Sequence, residues 1–159
     1  MCGFPNRGFS TPRSAGLAAL SLAGSGHAQP PNIFTGTCGR ESFIAEGPIG
    51  SDLTKRQSRF FCDSAVVTLD IEQGRGLFQF AEKRSNATPG LGFSGPFSGE
   101  RTFSLDTVYF NSAEKEPAAE GLCGIEMGRG GKPSRIYCVV TSDHGGRRAV
   151  ARVEFAVKN

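Results

Sequence analysis

Tryptophan is absent from this chain of 159 residues, and tyrosine, methionine and histidine appear only 2 times each. So few histidines leave little material for imidazole catalysis or a histidine-based metal centre. No window approaches the roughly 18–20 consecutive apolar residues of a spanning helix. The cysteines form no C-x-x-C pair, which argues against a structural zinc site, and no cofactor motif is visible. Net charge is only +3 and scattered, so the electrostatic footprint of a nucleic-acid partner is missing. What the chain does contain is 22 Gly and 9 Pro set against 13 Phe. That balance suits short strands joined by tight turns, and the length suits one domain.

Residues 1–28 read as a signal peptide. Arg7 and Arg13 are the only charges before Arg40 and precede the small apolar run Ala15–Ala23. Gly26-His27-Ala28 then supplies small residues at −3 and −1 of a cleavage site. Cleavage there removes two arginines and no carboxylate, lowering the net charge from +3 to +1, and removes Cys2. The cysteines left are Cys38, Cys62, Cys123 and Cys138, an even set that suits a disulfide framework in an oxidising compartment. Four cysteines allow three pairings; we favour Cys38–Cys62 and Cys123–Cys138. The second pair brackets the turn-like run Gly128–Pro133, and strands folding back there bring the two residues face to face. A plain hairpin would put them in hydrogen-bonded register, where side chains stand farther apart; a bulge among those glycines would restore the closer register.

After an extended N-terminal segment, 29–39, a single β-barrel-like domain is expected over 40–159. Strand-like runs span 40–46, 58–71 (with a bend at Asp63-Ser64), 76–83, 91–97, 102–110, 120–128, 134–142 and 147–157. Turn chemistry separates them, as in Asn86–Gly90 and Asp143-His-Gly-Gly146. The connection Asn111–Ala119 is charged and reads as solvated. Alternation places Phe103, Leu105, Thr107 and Tyr109 on one face, and Ala149, Ala151, Val153, Phe155 and Val157 on another. About eight sequential strands predict an all-β antiparallel meander, closing as a small soluble barrel or folding over as a β-sandwich, stapled by two disulfides. An outer-membrane barrel fits poorly, because Arg152 and Glu154 occupy one face of the last strand.

Candidate chemistry is sparse. His144 reads as a turn residue. Asp63, Asp70 and Asp106 read as outward and solvated, and Gly128–Gly131 as a hairpin turn, since no helix follows to make a phosphate cradle. Arg129, Arg135, Arg147 and Arg148 are candidates for an anion or partner patch. Phe78, Phe80, Phe93, Phe103 and Phe155 either fill the interior or wall an apolar pocket. No catalytic or metal-binding set assembles from these residue types.

The segments Arg59-Phe-Phe-Cys-Asp-Ser-Ala-Val-Val-Thr68, Phe78-Gln-Phe-Ala-Glu-Lys83 and Leu91-Gly-Phe-Ser-Gly95 occur with Gly146-Arg-Arg148 before a terminal hydrophobic strand. Together they resemble small exported proteobacterial proteins of uncharacterised function, over about two-thirds of the chain. The resemblance implies no activity. Secreted protease inhibitors on eight-stranded barrels share the size and compartment, but their signature includes the tryptophan that is missing here.

The expectation is therefore a periplasmic or secreted binding module, not an enzyme, with a protein or envelope partner. The alternatives are an apolar small-molecule carrier and a structural envelope protein. Intact-mass measurement of the native protein should give a chain beginning at Gln29; a cytoplasmic product beginning at Met1 would refute export.

Overall fold

The computed structural model describes residues 29–82, 90–110 and 114–159. The expected signal peptide and most of the turn Asn86–Gly90 lie outside these residues. Twelve strands are present among the described residues: β1 (Asn32–Cys38), β2 (Phe43–Pro48), β3 (Gln57–Arg59), β4 (Ser64–Asp70), β5 (Arg75–Ala81), β6 (Leu91–Pro96), β7 (Thr102–Ser104), β8 (Thr107–Phe110), β9 (Glu114–Pro117), β10 (Glu120–Met127), β11 (Pro133–His144) and β12 (Arg147–Val157). No helix among the described residues is long and apolar enough to cross a membrane.

Every ladder is antiparallel. The hydrogen-bonded path runs β7-β10-β11-β12-β1-β4-β5-β6-β8-β9, with β2 and β3 branching from β12. Its ends, β7 and β9, do not pair with each other, so the sheet is open and the expected closed barrel is not found. The strand count exceeds eight because two expected strands divide and two segments expected outside the strands, 29–39 and the connection 111–119, supply β1 and β9. The long run 58–71 breaks at 60–63 into β3 and β4. The run 102–110 breaks at Leu105-Asp106, and segment 29–39 supplies β1, a full member of the sheet.

The break at Leu105-Asp106 also resets which side chains face inward. Phe103 and Leu105 are buried as expected, but Val108 and Phe110 then turn to the core while Tyr109 faces outward, half-buried. The extra residue is accommodated because the Asp106 N–H donates to Ser94 (3.0 Å) and its carbonyl accepts from Ala118 (2.9 Å), carrying the chain from β10's side of the molecule to β6's. Two facing glycines make room for this crossing. Gly76 lies opposite Gly95 in the β5–β6 ladder. A Cβ on Gly76 would sit 2.7 Å from the Phe103 ring, and one on Gly95 would sit 1.9 Å from the Ser104 carbonyl.

The interior is aromatic and filled. The rings of Phe78, Phe80, Phe93, Phe103 and Phe155 are at most 1% exposed. Phe78 meets Phe103 edge-on at 4.8 Å, and Phe80 lies 6.0 Å from both Phe93 and Phe155. These contacts join strands from both wings of the sheet into one core, together with Ala149, Ala151 and Val153 of β12.

The charged connection 111–119 departs from expectation. Its residues Glu114–Pro117 form β9 against β8, and Glu116 lies opposite Val108, hence inward. Burying a carboxylate requires partners. Glu116 accepts a hydrogen bond from the fully buried Ser142 hydroxyl (2.9 Å) and pairs with Arg147, which also reaches Glu46. Side chains thus fasten β9 to the β11–β12 hairpin without a backbone ladder between them.

Both expected disulfides are formed, Cys38–Cys62 and Cys123–Cys138. Cys123 stands directly opposite Cys138, with Cα atoms 4.1 Å apart. The Gly121 carbonyl accepts from Leu105 and the Ile125 N–H donates to Arg101, so the odd-numbered residues of β10 bond towards β7. Cys123 and Cys138 are therefore a non-hydrogen-bonded pair, the closer of the two kinds. The parity is set by a register shift between Glu126 and Met127, a bulge next to the glycine turn, where Gly130 and Gly131 take φ of 76° and 70°.

Phe155 is fully buried between β1, β11 and Phe80. Phe155→Ala should therefore lower stability by about 3–5 kcal/mol in urea unfolding; a loss below about 1 kcal/mol would contradict this packing.

Candidate functional site

The four arginines singled out by sequence do not form one patch. Arg135 pairs in register with Ala156 and Arg147 with His144, at opposite ends of the β11–β12 hairpin. Three of the four are held by carboxylates. Arg135 bonds Glu126 (2.7 Å) and also Glu154, Arg147 bonds Glu46 and Glu116, and Arg148 grips Asp143 through two bonds of 2.7 Å. Arg129 sits exposed on the far turn. His144 is exposed beside Gly145 and Gly146, whose φ of 61° and 76° make the hairpin turn. Asp106 receives two bonds of 2.7 Å from Arg75, and Asp70 accepts from the Gln73 N–H in a turn.

A different set of side chains converges where β1 passes into β2. Cys38 lies opposite Phe155 and Phe43 opposite Arg152, so four residues, Gly39 to Ser42, face only Val153 and Glu154. The surplus forms a wide bulge. Its inner anchor is Ser42, fully buried, whose hydroxyl accepts from the Glu154 N–H (3.0 Å) and whose carbonyl accepts from Phe60 (2.9 Å). The Gly39 N–H donates to the Glu154 carbonyl (2.7 Å). Arg40 and Glu41 are left at the tip and exposed, as bulges commonly re-aim side chains.

Beside the bulge is a cleft of about 460 Å³ lined by Arg40, Glu41, Ser42, Phe43, Gln57, Arg59 and Arg152. The register explains the convergence: Arg152, Phe43 and Arg59 stand directly opposite one another across β12, β2 and β3. Arg59 is further placed by its guanidinium lying 4.6 Å over the Phe61 ring. The Cys38–Cys62 bridge ties together the two chain segments that carry Arg40 and Arg59. Chemically, the cleft offers three guanidinium groups around one half-buried aromatic ring. Sequence reasoning missed these residues, although a signal existed: Arg40 follows Cys38 by two positions and Arg59 precedes Cys62 by three.

Arg152 is partly engaged by Glu154, which also receives Arg135. These two guanidinium partners, Arg152 first, hold the Glu154 carboxyl below its ordinary value. A depressed carboxyl contributes its stability in full above its unfolded value, near 4.5, and loses it as pH falls through the lower folded value. Acidification from about pH 7 to pH 3 should therefore cost the native protein more stability than Glu154→Gln, read from urea midpoints at each pH. Parallel acid limbs in the two proteins would contradict this linkage.

A second cleft lies on the outer face of β4, β5, β6 and β8. It is a cleft of about 370 Å³ lined chiefly by Val66, Leu77, Gln79, Leu91, Gly92 and Tyr109. Of the five interior phenylalanines only Phe80 touches it. Among the described residues no group of three or more His, Cys, Asp or Glu is placed to hold a metal ion. No protein-family model, no curated protein and no solved structure matches this chain.

Proposed function

We propose that the protein is an exported, non-enzymatic binding module that engages a protein or envelope component through its outer surface. One observation carries this reading: the phenylalanine interior, the natural place for an apolar cargo in a barrel carrier, is occupied by its own rings. Recognition then falls to the exterior, where the disulfide-stapled bulge and the neighbouring β3 and β12 present three arginines. Two disulfides favour an oxidising compartment. Against catalysis stand an exposed turn histidine, a serine hydroxyl fully buried under Glu116, and an aspartate bound by Arg75.

The carrier reading keeps one foothold, the outer cleft beside Tyr109. Thermal-shift measurements on the mature protein against a series of fatty acids distinguish the two. The binding-module reading expects no saturable rise in melting temperature; such a rise would favour the carrier, because a ligand that binds only the native state must stabilise it. Cross-linking of the exported protein in intact cells, then reconstitution with the captured component, separates a module from a structural envelope protein, for which no saturable complex forms.

A further inference from the structure

We infer that the cleft between the bulge and β3 is a site for an oxyanion, a phosphate or carboxylate group carried on a small apolar or ring-shaped body. The inference rests on the reading of the outer surface as the working surface, and it adds the place and the ligand chemistry.

The charge balance around the cleft is the first argument. Most arginines elsewhere on the sheet, Arg75, Arg101, Arg135, Arg147 and Arg148, are matched by carboxylates. Arg40 and Arg59 have no carboxylate partner among the described residues, although Glu41 lines the same cleft. Arg152, the third, shares its guanidinium with Glu154 and keeps 43% of its side chain exposed. Guanidinium forks bind oxyanions through paired, charge-assisted hydrogen bonds, so guanidinium groups around one cleft match an anion's several oxygens.

Pre-organisation is the second. The Cys38–Cys62 bridge, the Phe60 N–H bond to Ser42 and the Arg59–Phe61 stack set the two walls before any ligand arrives. Phe43 forms part of the lining between Arg152 and Arg59 and offers an apolar surface to whatever carries the anion. Gln57 adds a neutral donor and acceptor at the same rim.

Free small anions and anionic lipid headgroups share this chemistry, and two probes separate them. Titration calorimetry with inorganic phosphate at low ionic strength reads the first. Flotation with phosphatidylglycerol vesicles, against phosphatidylcholine vesicles, reads the second. The double variant R40Q/R59Q should weaken binding to whichever probe the native protein takes by about tenfold or more. Its melting temperature should match the native one, since both side chains are exposed. Arg129→Gln, which removes one positive charge on the far turn, should leave binding unaltered. If the double variant fails to fold, R40K/R59K keeps the charge, removes the forks, and should still weaken binding. Binding to phosphate assigns a free anion, and binding to the anionic vesicles alone assigns a headgroup; either supports the site. Absence of binding to both probes, or an equal loss in Arg129→Gln, overturns it. A protein that binds an anion yet captures no partner keeps this site and loses the module reading instead.

Discussion

Between Phe155 and Arg152, β12 offers two residues where the strand facing it has four, and the surplus can only leave the ladder. Much of the molecule's distinctive geometry follows from that mismatch. Upstream of it, β1 carries the sheet onward to β4, because its first residues pair with β4 and its last with β12. Downstream, β2 stays on β12 and recruits β3. The bulge is held rather than loose: Ser42 satisfies the backbone of Glu154, and the neighbouring disulfide ties the chain entering it to Cys62. A buried, partnered polar residue at a bulge is what a defined local structure requires, since an unpaired one would cost about 1–3 kcal/mol.

The open sheet poses a second problem. Its final strand, β9, is short and exposes an edge, yet its Glu116 points inward, towards the β11–β12 hairpin. The carboxylate, the Ser142 hydroxyl and Arg147 fasten β9 to that hairpin with side chains, and Arg147 lies 5.8 Å over the Phe110 ring. Charged residues and Pro117 on β9 also discourage pairing with another chain.

Strand type, disulfide pairing and the core were legible because they rest on local signals. Alternation along 147–157 reports directly which residues of β12 are buried, and the glycines at 145–146 and 130–131 take the positive φ that their turns demand. Parity along the hairpin raised the question of a bulge for Cys123–Cys138, but not its place between Glu126 and Met127. What sequence could not show were the places where two distant segments decide the outcome. The parity change after Leu105 depends on Ser94 and Ala118. Glu116 reads as solvent-facing until Ser142 and Arg147 are brought beside it. The arginine cleft needs the pairing of β2 with both β3 and β12, and β12 lies about a hundred residues away in the chain. Closure into a barrel was illegible for the same reason: counting strands does not reveal whether the first and last meet.

The Cys123–Cys138 bridge has a kinetic side. It spans only 15 residues and joins two strands at the register they keep in the native sheet. In the oxidised chain the β10–β11 hairpin therefore cannot slip by one residue and turn its apolar face outward, an error that alternating strands otherwise permit. The search for the remaining pairings starts from a seed already in place, onto which β12 zips through the Gly145-Gly146 turn and β7 docks on the opposite edge. Loop closure is small for those first steps and large for β1, whose partner β12 lies at the other end of the chain. Assembly then has a direction: the hairpin precedes the bulge, and the bulge waits for the N-terminal strand to arrive.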